Sequence, residues 1–140
     1  VNDTSVVRGL VSDAIGALSG WHASRWAPDL FGRDIGTELH HTYVVSVPET
    51  TPHVRDGRQR VTEGLLVTSK IEVTWAHLLQ VDGQSDAYDD MLDAEQELVG
   101  ALRGIANAHV VITGMTRKPA AEGWILGTVT ADVLHRYALA

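Results

Sequence analysis

Cysteine is absent from this 140-residue chain, which excludes disulfides, thiolate metal sites and cysteine nucleophiles together. No apolar run approaches the roughly 20 residues of a membrane-spanning helix, so no membrane partner is expected. The opening stretch VNDTSVVRGL has no basic start followed by an apolar run, and it does not read as a secretory signal. Positive charge is scarce: 11 Lys and Arg stand against 18 Asp and Glu, for a formal charge of −7. A general nucleic-acid binder needs a basic face to displace counterions from phosphate, and this composition supplies no such surplus. Internal repeats and low-complexity segments are also missing. What remains is a composition of 44% hydrophobic and 21% charged residues, ordinary for a globular protein made in the cytoplasm. The length predicts one domain spanning residues 1–140.

Hydrophobic periodicity predicts the elements. Residues 4–19 repeat Val6, Val7, Leu10, Val11, Ala14, Ile15 and Leu18 at helical spacing, with Thr4 as a cap and Gly20 as a stop. The stretch WHASRWAPDLFGRDIGTE has no clean period, and its Pro28, Gly32 and Gly36 predict a loop. Residues 39–47 and 65–81 alternate as strands, the second with Val67, Ile71, Val73 and Trp75 on one face and Thr68, Lys70, Glu72 and Thr74 on the other. A second helix starts at Ser85 or Asp86 and runs to about Ala106, with Tyr88, Met91, Leu98 and Leu102 in its apolar stripe. Strands over 109–117 and 124–138 follow. The predicted order is α-β-β-α-β-β. It implies an α+β fold: a two-layer domain with a largely antiparallel four-stranded sheet, helices packed on one face, and a long β-hairpin.

Little in the chain points to catalysis. Adjacent residues on a strand face opposite ways, so His40 and His41 are not expected to chelate one ion. His22, His53, His77, His109 and His135 are scattered, as surface or core-edge histidines usually are, and no H-E-x-x-H spacing occurs. Ser, His and Asp are present without a G-x-S-x-G elbow. The stretch SDAYDDMLDAEQE crowds Asp86, Asp89, Asp90 and Asp93 into successive turns. Such carboxylates can hold magnesium for phosphoryl transfer, but acids in the first turns also complement the helix dipole, and an acidic face open to solvent or a partner is the expected role. No metal and no cofactor are expected.

The segment PETTPHVRDGRQRVTEG, residues 48–64, places Arg55, Arg58 and Arg60 on the hairpin beside His53. Polar hairpins keep sheet edges soluble. A connection of about 16 residues nevertheless exceeds the usual 2–5, and connections beyond about 12–15 are commonly functional. Basic hairpin and acidic helix are patches of opposite charge on different elements.

Three stretches carry a resemblance: LHHTYVVSVPETTPHVRDGRQRVTEGLLVTSKIEVTWAHLL, DAYDDMLDAEQELVGAL and GWILGTVTADVLHRYALA, within residues 39–140. With the order of elements, they resemble the tail terminator, or tail completion, proteins of long-tailed bacteriophages and related tail-like particles. The resemblance implies a homohexameric ring in the neck region of a virion. It would cap the tail tube at its final length, stop tube polymerisation and join the tail to the head connector, without catalysis. Its partners would be other copies of itself, the tail tube protein and the head–tail connector protein, with non-specific contact to DNA passing through the lumen. The residues expected at the subunit, tube or lumen interface are Arg55, Arg58, Arg60, His53, Asp86, Asp89, Asp90 and Asp93; these follow from charge and position, not from a family motif. Alternatives are another neck or head-completion connector protein, an adaptor using its long strands for edge pairing, and a small metal-dependent phosphoryl-transfer enzyme built on the acidic helix.

Overall fold

The computed structural model describes residues 3–24, 40–52, 65–79, 84–106, 108–120 and 123–137, with the backbone alone for residues 65, 84–86 and 137. Its elements are α1 (Asp3–Gly16), β1 (His22–Ala23), β2 (Thr42–Pro52), β3 (Leu65–Leu78), α2 (Gln84–Arg103), β4 (His109–Pro119) and β5 (Trp124–Tyr137). The strands form one sheet in the order β1-β2-β3-β5-β4. The α+β class stands. The strand count does not: among the described residues the sheet has five strands, because residues 22–23 pair with Thr42 and Tyr43 as a short parallel strand. A two-residue strand leaves no alternation in a sequence. All other pairings are antiparallel.

The centre of the sheet is the β3–β5 ladder, paired without interruption from Leu65↔Tyr137 to Leu78↔Trp124. Strands of 14 residues extend about 46 Å at roughly 3.3 Å per residue, whereas the 20 residues of α2 cover about 30 Å. The sheet therefore outruns its helical layer. Alternation puts Ile71, Val73, Trp75, Val129 and Val133 on the face that meets the helices, all essentially without solvent exposure. Val7, Val11 and Ile15 of α1 and Met91, Ala94, Leu98 and Leu102 of α2 close on them in one cluster. Val6 and Tyr88, expected in these apolar stripes, lie exposed instead. Each sits at the border of its helix's buried arc.

Trp75 lies across Gly127, its partner on β5. A Cβ at Gly127 would meet the indole, with Cε2 at 2.5 Å and Cζ2 at 2.8 Å. The residue at 127 must therefore lack a side chain.

The hairpin loop does not begin at Pro48 as the sequence predicts. β2 stays paired to Pro52↔Val67, with a register shift between Ser46 and Glu49. That bulge sets Val47 and Pro48 opposite Ile71 alone, and bulges are where a strand admits proline. A second register shift, between Ile112 and Gly114, interrupts β4.

A candidate functional site of three histidines

Where the chain enters β2, His40 and His41 form a turn, and His41 has φ 58. This left-handed backbone is uncommon for a side-chain-bearing residue and costs on the order of 1–3 kcal/mol. Hydrogen bonds on both sides hold it: His41 N donates to Ala76 O at 2.8 Å, and His41 O accepts from His22 N at 3.0 Å. The expectation that His40 and His41 face opposite ways is overturned, because the turn breaks strand alternation before β2 begins. Their rings stack, with centroids 3.8 Å apart.

His77 of β3 completes the group. One ring nitrogen from each of His40, His41 and His77 lies within 4.8 Å of those of the other two. His41 Nε2 and His77 Nδ1 are 3.0 Å apart, as hydrogen-bond partners. Leu78 N donates to His40 Nδ1 at 3.0 Å. Indoles wall the cluster: Trp21 stacks on His41 at 4.3 Å between centroids, and the Trp75 ring meets His77 edge-on at 6.0 Å. His77 is buried at 5% exposure, and both tryptophans are buried.

This environment keeps imidazole neutral. Burial pushes His77 down to about 4, helped by repulsion from His40. Burial also pushes His41 down to about 3, aided by repulsion from His40, His77 and His22. Burial lowers His40 as well. Neutral imidazole is the form that binds metal ions, and three neutral rings converging from a turn and a neighbouring strand suit a borderline divalent cation.

Of the residues singled out by charge, Asp89, Asp90 and Asp93 are not part of this group. His53, Arg55, Arg58 and Arg60 lie outside the described residues. Asp86 is in the first turn of α2. Asp89, Asp90 and Asp93 are exposed along α2 and, among the described residues, belong to no group spaced to hold an ion. Glu95, from the same acidic stretch, is buried at 4% exposure. It takes a two-pronged contact from Arg117 of β4, whose Nε donates to Oε2 at 2.9 Å and whose Nη2 donates to Oε1. The Glu95 hydrogen bond raises the Arg117 value further above its ordinary range. This part of the acidic helix is thus bound within the chain.

An open cleft of about 590 Å³ adjoins Trp21, lined also by Ser12, Asp13, His22 and Tyr43. Tyr43 Oη donates to Ser12 O at 2.7 Å. Among the described residues, no hydrogen bond joins the Ser12, Asp13 and His22 side chains.

Register could have exposed the histidine site in the sequence. Tyr43↔Trp75, Val44↔Thr74, Val45↔Val73 and Ser46↔Glu72 pair residues whose numbers sum to 118, as do 41 and 77. Pairing the two predicted strands in that register sets His41 opposite His77.

No family model matches the chain, and no curated protein matches it.

Proposed function

We propose that this protein is a structural subunit that acts by assembling, in the manner of the tail terminator proteins it resembles. Copies form a six-membered ring at the end of a tail tube, stop its growth and present a surface to the head connector. The observation that supports an assembling subunit most directly is the outer edge of β4. No described strand pairs with it, and Val111 and Met115 are 49% and 44% exposed along it. An open edge invites another chain, and proteins that must avoid this blunt it with proline, charge or bulges.

The opposite side of the sheet is blunted in that way. β2 carries Pro48, Pro52 and a bulge, and its Val45 carbonyl accepts from Arg8 Nε at 2.7 Å. β4 also has a bulge and concentrates Arg117, Lys118 and Pro119 at its end, but its Val110–Thr116 run has no Lys, Arg, Asp or Glu. What sets the two sides apart is the exposed apolar Val111 and Met115 on β4 against the exposed, polar Glu49–Pro52 run of β2; a head-to-tail contact needs two unlike patches. Asp89, Asp90 and Asp93 are exposed on α2, and Arg55, Arg58 and Arg60 are the opposite charges that the sequence offers for contacts between copies.

The test is light scattering and negative-stain imaging across a concentration range, for the parent and for Val111→Lys/Met115→Lys. Both substitutions are at exposed positions and should change stability by no more than about 0.5 kcal/mol each. Six-membered rings from the parent, and monomers with an unchanged melting curve from the variant, are expected. A parent that stays monomeric at every concentration and on tube ends overturns the reading. A variant that assembles like the parent overturns the choice of β4.

A further inference from the structure

We propose that His40, His41 and His77 form a binding site for a borderline divalent metal ion of the zinc class. The inference stands apart from the assembly reading and needs no second copy of the chain.

Geometry carries it. Two nitrogens bound to one tetrahedral zinc at about 2.0–2.1 Å lie about 3.3 Å from each other. His41 Nε2 and His77 Nδ1 are already 3.0 Å apart, close to that spacing, so an ion can take the place of their hydrogen bond once the donor ring shifts its proton to its other nitrogen and both rings turn toward the ion. His40 lies within 4.8 Å of both and must close in. Its Nδ1 accepts Leu78 N–H, which places the proton of the neutral ring on Nε2. Either way it must release Leu78 N–H: it binds through Nδ1 directly, or through Nε2 after that proton moves to Nδ1. His41 and His77 are the primary ligands, and His40 is recruited.

Backbone strain is a second, independent observation. The left-handed conformation of His41 lets two consecutive histidines meet a third across the sheet, and such conformations concentrate at functional sites. The donor set selects the ion. Imidazole alone suits zinc, copper and nickel, whereas calcium and magnesium require oxygen ligands. Three protein donors leave a fourth position open to water or an outside ligand.

The experiment uses the full chain without a histidine tag, stripped with chelator and then dialysed at neutral pH. Zinc chloride is titrated by calorimetry, and Co²⁺ serves as the spectroscopic probe. Saturable 1:1 binding and a tetrahedral cobalt spectrum are expected. His41→Gln and His77→Gln should each weaken binding by about 100-fold and His40→Gln by about tenfold, while His109→Gln, on exposed β4, should change nothing. Absence of saturable binding overturns the proposal, as does equal binding by parent, His41→Gln and His77→Gln. Should those variants fail to fold, nitrogen NMR of the parent decides. Zinc-induced shifts at the His40, His41 and His77 rings support the site, and shifts confined to other histidines overturn it.

Discussion

Lowering the pH from 7 to 4 should remove about 4 kcal/mol of folding stability, mostly through His77 and His41. Burial holds the His77 ring neutral down to about 4 and the His41 ring down to about 3, whereas an unfolded chain takes up these protons near pH 6.5. Because the folded values are depressed, the unfolded state binds more protons everywhere below pH 6.5. Stability is therefore full above that value and falls with falling pH until each folded value is reached. For His77 the window from 6.5 to 4 spans about 2.5 decades, which at about 1.4 kcal/mol per decade gives about 3 kcal/mol. His41 is partly open to solvent, and its depression partly reflects neighbouring rings that are themselves neutral over most of the window. Discounted for that screening, it adds on the order of 1 kcal/mol. The total is a large share of the roughly 5–15 kcal/mol that holds a typical domain folded. Urea unfolding at pH 7, 6, 5 and 4 measures it, with chelator present so that only protons compete for the ring nitrogens. The parent midpoint should fall steeply below pH 6.5, and His77→Gln should follow a flatter profile that approaches the parent in acid. Parallel profiles for the two proteins would refute the reasoning.

Three further outcomes are expected. Gly127→Ala should cost about 1–3 kcal/mol, because the new methyl enters the space of the buried Trp75 indole; a melting temperature within a degree of the parent would show that the ladder yields. Arg117→Ala should cost about 2–3 kcal/mol by leaving buried Glu95 without its partner, less than the 3–5 of a fully buried pair because the Arg117 side chain is 34% exposed; chemical unfolding reads this, and a loss below about 0.5 kcal/mol would contradict it. Changing Arg55, Arg58 and Arg60 together to Ser should leave thermal unfolding nearly unchanged, since exposed ion pairs contribute about 0.2–1 kcal/mol each. The same change should weaken ring formation and raise its salt sensitivity, and particles that assemble normally would reduce these arginines to a solubilising role.

Much of the fold was legible because its central strands bury one face only. The alternation of Ile71, Val73 and Trp75 against Lys70, Glu72 and Thr74, and of Val129, Ala131 and Val133 against Thr130 and Asp132, follows directly from the two-residue period of a strand. What was hidden depended on pairing rather than local pattern. β1 is too short to show alternation, and β2 crosses Pro48 only because a bulge absorbs it. The candidate site was hidden for a related reason. His40 and His41 converge through one left-handed residue, fixed by hydrogen bonds to strands that are distant in sequence. The acidic helix was legible in composition but not in detail: Glu95 resembles its exposed neighbours in sequence, and only the fold brings Arg117 against it.

The β3–β5 ladder also sets the order in which the chain can fold. Its pairs run from Leu78↔Trp124 to Leu65↔Tyr137, separations of 46 to 72 residues, whereas only residues 53–64 separate β2 from β3. During synthesis at about 5–20 residues per second, β3 waits at least about 2–9 seconds for its second partner. In that interval the β2–β3 hairpin can form, but Ile71, Val73 and Trp75 have no completed sheet to enter, and the far edge of β3 stays open. Lys70 and Glu72 then act as gatekeepers on the emerging strand, putting charge beside Ile71 and Val73, which would otherwise template aggregation. Closure of the sheet is consequently a late event that awaits the last strand. Nascent chains arrested before Trp124 should be digested readily by protease, those arrested well beyond Tyr137 should resist it, and equal resistance in both would show that the hairpin and helices hold the fold without β5.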